Sequence, residues 1–415
     1  MRTRNCRERT RRDCVRYLGT AGFRPLPLRP NRLLEVNTSV IDLDRAAPGV
    51  ASEPGAPLPL KRGGHVVELD GIRALAIWLV LAAHLLFEMP TTSAGRAFIP
   101  AALAVILAHG WLGVDLFFVL SGFLITSILL RTKELGRGEY FRRFYLRRTL
   151  RILPLYFVVL GILFIAYGGQ YGAYFAFCTL LSANLAGLAN VPIPDGAGPF
   201  WSLAVEEQFY LFWPWLVLWL GPRRLAFAAF SIVVAEPFIR LFATDPDLKF
   251  TWYRLDGLAM GALIAVWFAS WDGNARSARN LALSLVAIAI GISVVGQPYG
   301  VNHDGLLSTS FRITQAICFF GALVVGAVSL RGHAALSPLR SRFAVVTAVL
   351  SYCLYLIHRP LIDGFTGTIG ATPWFLALPP EAGTLLRFSV VLVAAYGLAA
   401  LSKRFLEDPF QRLAR

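Results

Sequence analysis

The stretch "DGIRALAIWLVLAAH", Asp70 to His84, decides the fold. Ten residues separate Arg73 from His84, and every one is Ala, Leu, Ile, Val or Trp. With the residues that follow, the run reaches 88. A membrane helix needs roughly 20 such residues. Backbone groups find no hydrogen-bond partners in lipid, so a run of this kind must be helical there. The reading therefore starts from a membrane helix with a guanidinium near one end and an imidazole deep inside.

The rest of the chain agrees. Of its 415 residues 56% are hydrophobic and 16% charged, against roughly 25% charged in soluble domains. Ten apolar spans are expected, at 70–88, 110–130, 152–168, 202–220, 225–243, 252–270, 280–296, 306–329, 343–361 and 384–401. The fold class is all-α, a polytopic membrane protein with about ten transmembrane helices. Two more apolar stretches, 97–109 and 171–188, are short or broken by Pro, Gly and Asn, and are read as outer-face or re-entrant pieces.

Charge supports this count. Segment 131–151 carries net +6, and segments 221–224, 272–279 and 331–342 carry +2, +1 and +3. The alternate segments 168–201, 244–251, 297–305 and 362–383 are neutral or acidic. Ten spans place all basic loops on one side, and adding just one of the doubtful stretches scrambles that order. By the positive-inside rule both termini are cytoplasmic. The net charge of +15 belongs to topology and to a tail, so no nucleic-acid partner is expected.

The organisation expected is a disordered cytosolic tail over 1–65, a membrane domain over 66–410 and a short C-terminal tail over 411–415. Residues 1–32 hold ten arginines against Glu8 and Asp13. No apolar segment of the kind a signal peptide requires follows them. The tail is read as flexible, or as the product of a start codon placed too early, with anionic membrane lipid as its other possible partner. The five cysteines make no CxxC pair, disulfide framework or metal-ligand spacing, so no metal is expected. Only four of the 40 basic residues are lysines, Lys61, Lys133, Lys249 and Lys403, a bias of G+C-rich bacterial genes. The expected location is a bacterial inner membrane.

The topology gives depths. His84 lies ~16 Å further out than Arg73 at about 1.5 Å rise per residue. Asp115, Glu206, Arg254, Asp256 and His358 come to a similar depth in the outer half, with Tyr355 beside His358. Intramembrane ionisable groups are costly; they either lock helices together or act in function. An imidazole titrates near neutrality and can take a proton from a hydroxyl. Asp115 or Glu206 is the candidate to orient it. In "RRFYLRRTLRILPLY" (142–156), Arg148 and Arg151 stand at i and i+3 on one helix face, and arginine forks bind phosphate oxygens. Gly113, Ser121 and Gly122 either let helices pack closely or leave a slot for a ligand arm. No phosphate-binding glycine loop or dinucleotide fingerprint occurs.

Taken together, these stretches closely resemble the integral-membrane acyltransferase family called acyltransferase type three, over about residues 66–410. The family's Arg-x10-His pattern matches Arg73 and His84, and its Arg-x-x-Arg pattern matches Arg148 and Arg151. Its FFVxSGF pattern matches Phe117, Phe118, Val119, Ser121, Gly122 and Phe123, and its WSLxxE pattern matches Trp201, Ser202, Leu203 and Glu206. The segment "YCLYLIH", Tyr352 to His358, is similar as well. The resemblance implies an O-acyltransferase of surface glycans, peptidoglycan or secreted small molecules. Its donor would be cytosolic acetyl-coenzyme A or another acyl-coenzyme A, used as cosubstrate without a bound cofactor. The donor would dock on Arg148, Arg151 and Arg73, with Ser121 and Gly122 beside its arm. His84 would serve as general base or acyl carrier towards a hydroxyl acceptor outside. Some relatives carry a soluble hydrolase-like domain after the last span, so this chain is expected to act alone or to pass its acyl group to a separate partner. The rival readings are a transporter or flippase of a lipid-linked sugar and a silent scaffold.

Overall fold

The computed structural model describes residues 65–88, 98–243, 248–296 and 306–414. The expectations for the N-terminal tail, and the acidic residues Asp245, Asp247 and Asp304, lie outside the described residues. All regular structure among the described residues is helical.

Helix α1 spans Val67–Ala83 and continues as one π-helical turn, His84–Glu88. The short α2 spans Ala101–Ala108, and α3 spans Gly113–Thr132. Then come α4 (Arg137–Thr179), α5 (Phe200–Trp219), α6 (Pro222–Ile239), α7 (Leu255–Ser270) and α8 (Ala275–Gly296). Next are α9 (Leu306–Ser329), α10 (Arg342–Gly367), the four-residue α11 (Pro373–Leu376), α12 (Pro380–Ser402) and α13 (Asp408–Arg412). Each of the ten expected spans centres on a helix, and 202–220, 225–243 and 252–270 run past their helices by one to four residues. Among the described residues eight helices are long and apolar enough to cross a membrane. The other two expected spans are α5, whose hydropathy Glu206, Glu207 and Gln208 lower, and α7, with only 16 residues. A stretch of that length covers ~24 Å as helix, and the 3-10 turn Thr251–Tyr253 precedes it. The eight residues of α2 span ~12 Å and cannot cross ~30 Å of hydrocarbon.

The basic segment 131–151 differs from the loop it was expected to be. It is helix from Arg137 onwards, in a helical segment of 43 residues that breaks into two helices at Tyr171, whose φ/ψ are not helical. The part before the break, 137–170, is ~51 Å long, well beyond the ~30 Å of hydrocarbon. Its arginine-bearing turns therefore extend beyond the lipid core. Arg148 and Arg151 share a face, as the i, i+3 spacing requires.

Small residues set the closest helix approaches. A methyl group at Gly122 of α3 would meet the Leu258 carbonyl of α7, and one at Gly261 would meet the Val119 carbonyl. Gly122 is thus a packing glycine. The core around this seam includes Ile72, Ile77, Leu116, Phe118, Phe123 and Phe268. The outward faces of α4, α6, α8 and α12 carry exposed Ile162, Ile165, Phe227, Val294, Val295 and Val393. So much uncovered apolar surface fits a lipid solvent.

Polar groups inside the bundle are matched in clusters. Fully buried Arg240 pairs with Asp256 at 2.8 Å and Glu236 at 3.5 Å, and donates to the Tyr253 carbonyl and Thr314 hydroxyl. Gln208 donates to Asn184 at 3.0 Å, Asn184 donates to Thr251 at 2.8 Å, and Thr251 donates back to Gln208. That ring ties α5 to the turn preceding α7.

Candidate active site

Two cavities lie inside the bundle. The arginine pocket is an open cavity of about 700 Å³, counted with the solvent space at its mouth. Arg73 of α1, Ser121 of α3, Arg148 and Arg151 of α4, Ser202, Glu206 and Tyr210 of α5, and Tyr352 of α10 line it. A basic groove continues from Arg148 and Arg151 past Arg131, Arg143 and Arg147. The histidine pocket, about 950 Å³, is lined by His84, Trp201, Lys249, Arg254, His358 and Arg359 among others. Val114 and Tyr355 line both cavities and form the wall between them.

His84 opens the π-helical turn. Its Nδ1 lies 2.8 Å from the Val80 carbonyl. A carbonyl only accepts, so Nδ1 is the donor, and in the neutral ring the lone pair sits on Nε2. His358 is set in the same way, its Nδ1 donating to the Tyr355 carbonyl at 2.6 Å. The two rings meet edge to face with centroids 4.9 Å apart. In its neutral form each ring would carry its basic nitrogen on Nε2, in one cavity. The orienting carboxylate expected for His84 is replaced by a main-chain carbonyl one turn away.

Both candidate orienting carboxylates have other partners. Asp115, wholly buried, pairs with Arg254 at 3.3 Å. Glu206 accepts from Ser121 at 2.8 Å and Tyr210 at 3.0 Å, in the arginine pocket. Arg148 stacks over the Tyr210 ring at 5.1 Å, which continues this polar wall. The six ionisable residues expected at one depth therefore separate. His84, His358 and Arg254 line the histidine pocket with Asp115 behind them. Glu206 belongs to the other cavity, and Asp256 to the Arg240 cluster.

The other expected residues fall as follows. Arg73, Arg148, Arg151, Ser121 and Ser202 share the arginine pocket. Trp201 lines the histidine pocket, where Arg254 lies over its ring at 5.0 Å. Gly122 is absent from both linings and packs on α7. Tyr355 forms the wall between pockets, and its hydroxyl bonds Ser202. Ser202 donates its one proton to the Pro199 carbonyl at 3.1 Å, so the Tyr355 hydroxyl is the donor to Ser202. Sequence reasoning missed Tyr210, Arg359 and Lys249. Tyrosines in an apolar run carry no distinguishing signal. Lys249 falls in a segment where a charge reads as topology, and Arg359 lies inside the expected span 343–361, next to His358.

The described residues thus place an arginine-lined pocket and an imidazole-lined pocket on either side of Val114 and Tyr355 in a helical membrane protein. The comparisons give it a family: the acyltransferase domain family matches residues 66–404, and the chain belongs to it. It is 25% identical over 388 residues to the peptidoglycan O-acetyltransferase OatA of Listeria monocytogenes, covering 84% of this chain and 56% of that one. It is 26% identical over 388 residues to the putative peptidoglycan O-acetyltransferase YrhL of Bacillus subtilis, covering 84% and 55%. With the O-acetyltransferase OatA of Staphylococcus aureus it shares 26% identity over 381 residues, covering 83% and 57%. The chain spans little more than half the length of these curated relatives. No solved structure matches it.

Proposed function

We propose that this protein transfers an acyl group, acetyl by analogy with its relatives, from acyl-coenzyme A to a hydroxyl of an extracytoplasmic carbohydrate or similar acceptor. The observation that carries the reading is the pair of cavities sharing the Tyr355 wall, one ending in arginines and the other in imidazoles. In this reading, supported by the positive-inside pattern, the arginine pocket faces the cytosolic side of a bacterial inner membrane and both termini are cytoplasmic. The donor's phosphates bind Arg148 and Arg151, where guanidinium forks suit them. The groove past Arg131, Arg143 and Arg147 takes the nucleotide end. The thin pantetheine arm runs past Ser121 and Glu206, bringing the thioester to the wall.

The acceptor enters the histidine pocket from the other side. Its oxygen attacks the thioester carbonyl, its proton passes to His84 Nε2, the carbon–sulfur bond breaks, and the thiolate leaves towards the arginine pocket. General-base assistance of this kind contributes about 10²–10⁴-fold. An acyl-His84 intermediate would divide the same transfer into two steps. The names of the relatives make peptidoglycan one acceptor to try first.

Steady-state kinetics separates the two ends. Replacing Arg148 and Arg151 with Ala should raise the donor KM by about tenfold or more with little change in kcat, because each removes binding shared by ground and transition states. A fall in kcat at unchanged donor KM would contradict the docking role.

A further inference from the structure

The histidine pocket carries more positive charge than proton transfer requires. Its ionisable lining among the described residues is His84, Lys249, Arg254, His358 and Arg359, with no carboxylate on the wall. Two carboxylates stand behind it. Asp115 engages Nη1 of Arg254 at 3.3 Å, and Asp363 lies 4.0 Å from Nε of Arg359.

Two buried groups on this wall lack a match. Arg254 is 3% exposed, and its Nε has no acceptor among the described residues. His358 is 1% exposed, and its Nε2 has no partner there either. A buried donor without an acceptor is costly, the more so when it is charged. Lys249 reaches the cavity from a strained backbone. The preceding Leu248 is 1% exposed and holds a left-handed φ of 51°, a conformation uncommon outside glycine. A neutral hydroxyl needs one base. A buried guanidinium with a vacant N–H, stacked on Trp201 and flanked by Lys249 and Arg359, suits an oxyanion.

We infer that the acceptor is anionic: it carries a carboxylate or phosphate close to the hydroxyl that takes the acyl group, and Arg254 and Lys249 hold that group while His84 faces the hydroxyl. This rests on the reading of the histidine pocket as the acceptor site. The anion takes no part in the bond changes. It sets which hydroxyl lies at His84, and it offers the Arg254 Nε a charge-assisted acceptor stronger than a neutral sugar's hydroxyl.

The test is calorimetric titration of the full-length protein in detergent with three matched probes: a neutral methyl hexoside, the corresponding uronic acid and the corresponding hexose 1-phosphate. Binding requires no turnover. At least one anion should bind about tenfold or more tightly than the neutral sugar. Whichever anion binds better identifies a sugar carboxylate or a phosphate as the source of charge. Lys249→Gln, at a half-buried loop position, should remove several-fold of the preference, and Lys249→Arg should restore it. Arg254→Gln should abolish it, provided its thermal unfolding matches that of wild type. No preference, including no measurable binding of either anion, overturns the inference, as does a preference that survives both Lys249→Gln and a folded Arg254→Gln. Acyl transfer fails separately: coenzyme A release indifferent to His84 would sink the transfer reading whatever the probes do. His84-dependent release without an anion preference would keep that reading and sink this one.

Discussion

At the scale of single residues, the wall between the cavities carries the sharpest prediction. Tyr355 presents its ring to both pockets and is pinned through its hydroxyl to Ser202. Tyr355→Phe keeps the ring and loses only that pin, so transfer should fall modestly, by about the tenfold that one neutral hydrogen bond represents. Tyr355→Ala opens the wall to water. Acyl-coenzyme A should then hydrolyse without acceptor, and the ratio of coenzyme A released to acyl group transferred should rise well above wild type. An unchanged ratio in Tyr355→Ala would remove the wall from the account. The residue scale is also where the sequence was least complete. The spacing of Arg73, His84, Arg148 and Arg151 was legible because each stands out in an apolar or patterned background. The partner of His84 was not, because it is a main-chain carbonyl, and side-chain identity does not report on those.

Packing at the scale of helices is decided by the seam of α3 and α7. A Cβ at Gly122 meets backbone, the Leu258 carbonyl, which cannot turn aside as a side chain would. Gly122→Val should therefore force the helices apart and lower stability by about 1–3 kcal/mol or more, seen as a lower midpoint of thermal unfolding in detergent. Wild-type stability in that variant would contradict the close approach. The cluster at the end of α6 makes a second prediction. Arg240→Met leaves Asp256 and Glu236 buried without their cation, a change worth about 3–5 kcal/mol. Arg240→Met combined with Asp256→Asn should recover part of that loss in the same unfolding assay. From the sequence the small residues of α3 suited close packing first and a ligand slot second. The structure divides them, Gly122 to the helix seam and Ser121 to the arginine pocket. Pairing across helices does not follow from depth alone, and for that reason Asp256 was expected near His84 and lies against Arg240.

At the scale of the whole molecule, hydropathy and the alternation of loop charge were sufficient to define the helices, since both are imposed by lipid. They could not show that the basic segment is helix, because a charged helix outside the membrane and a charged loop satisfy the same rule. The part of α4 that precedes its break at Tyr171 shows it through length. Orientation is checked by labelling. In a cysteine-free background, Gly136→Cys and Gly273→Cys should react with an impermeant maleimide only after the membrane is opened, and Gly370→Cys should react in intact cells. The reverse pattern would invert both pockets. The central claim is that the two cavities are the donor and acceptor ends of one transfer path that meets at His84. Its most direct test is coenzyme A release from acetyl-coenzyme A by purified protein, wild type beside His84→Ala, with an acceptor mixture drawn from cell-wall glycan. The account predicts release by wild type and a loss of about 10²-fold or more in the variant, whose thermal unfolding is unchanged. Equal release by both proteins would place the chemistry away from His84 and contradict the account.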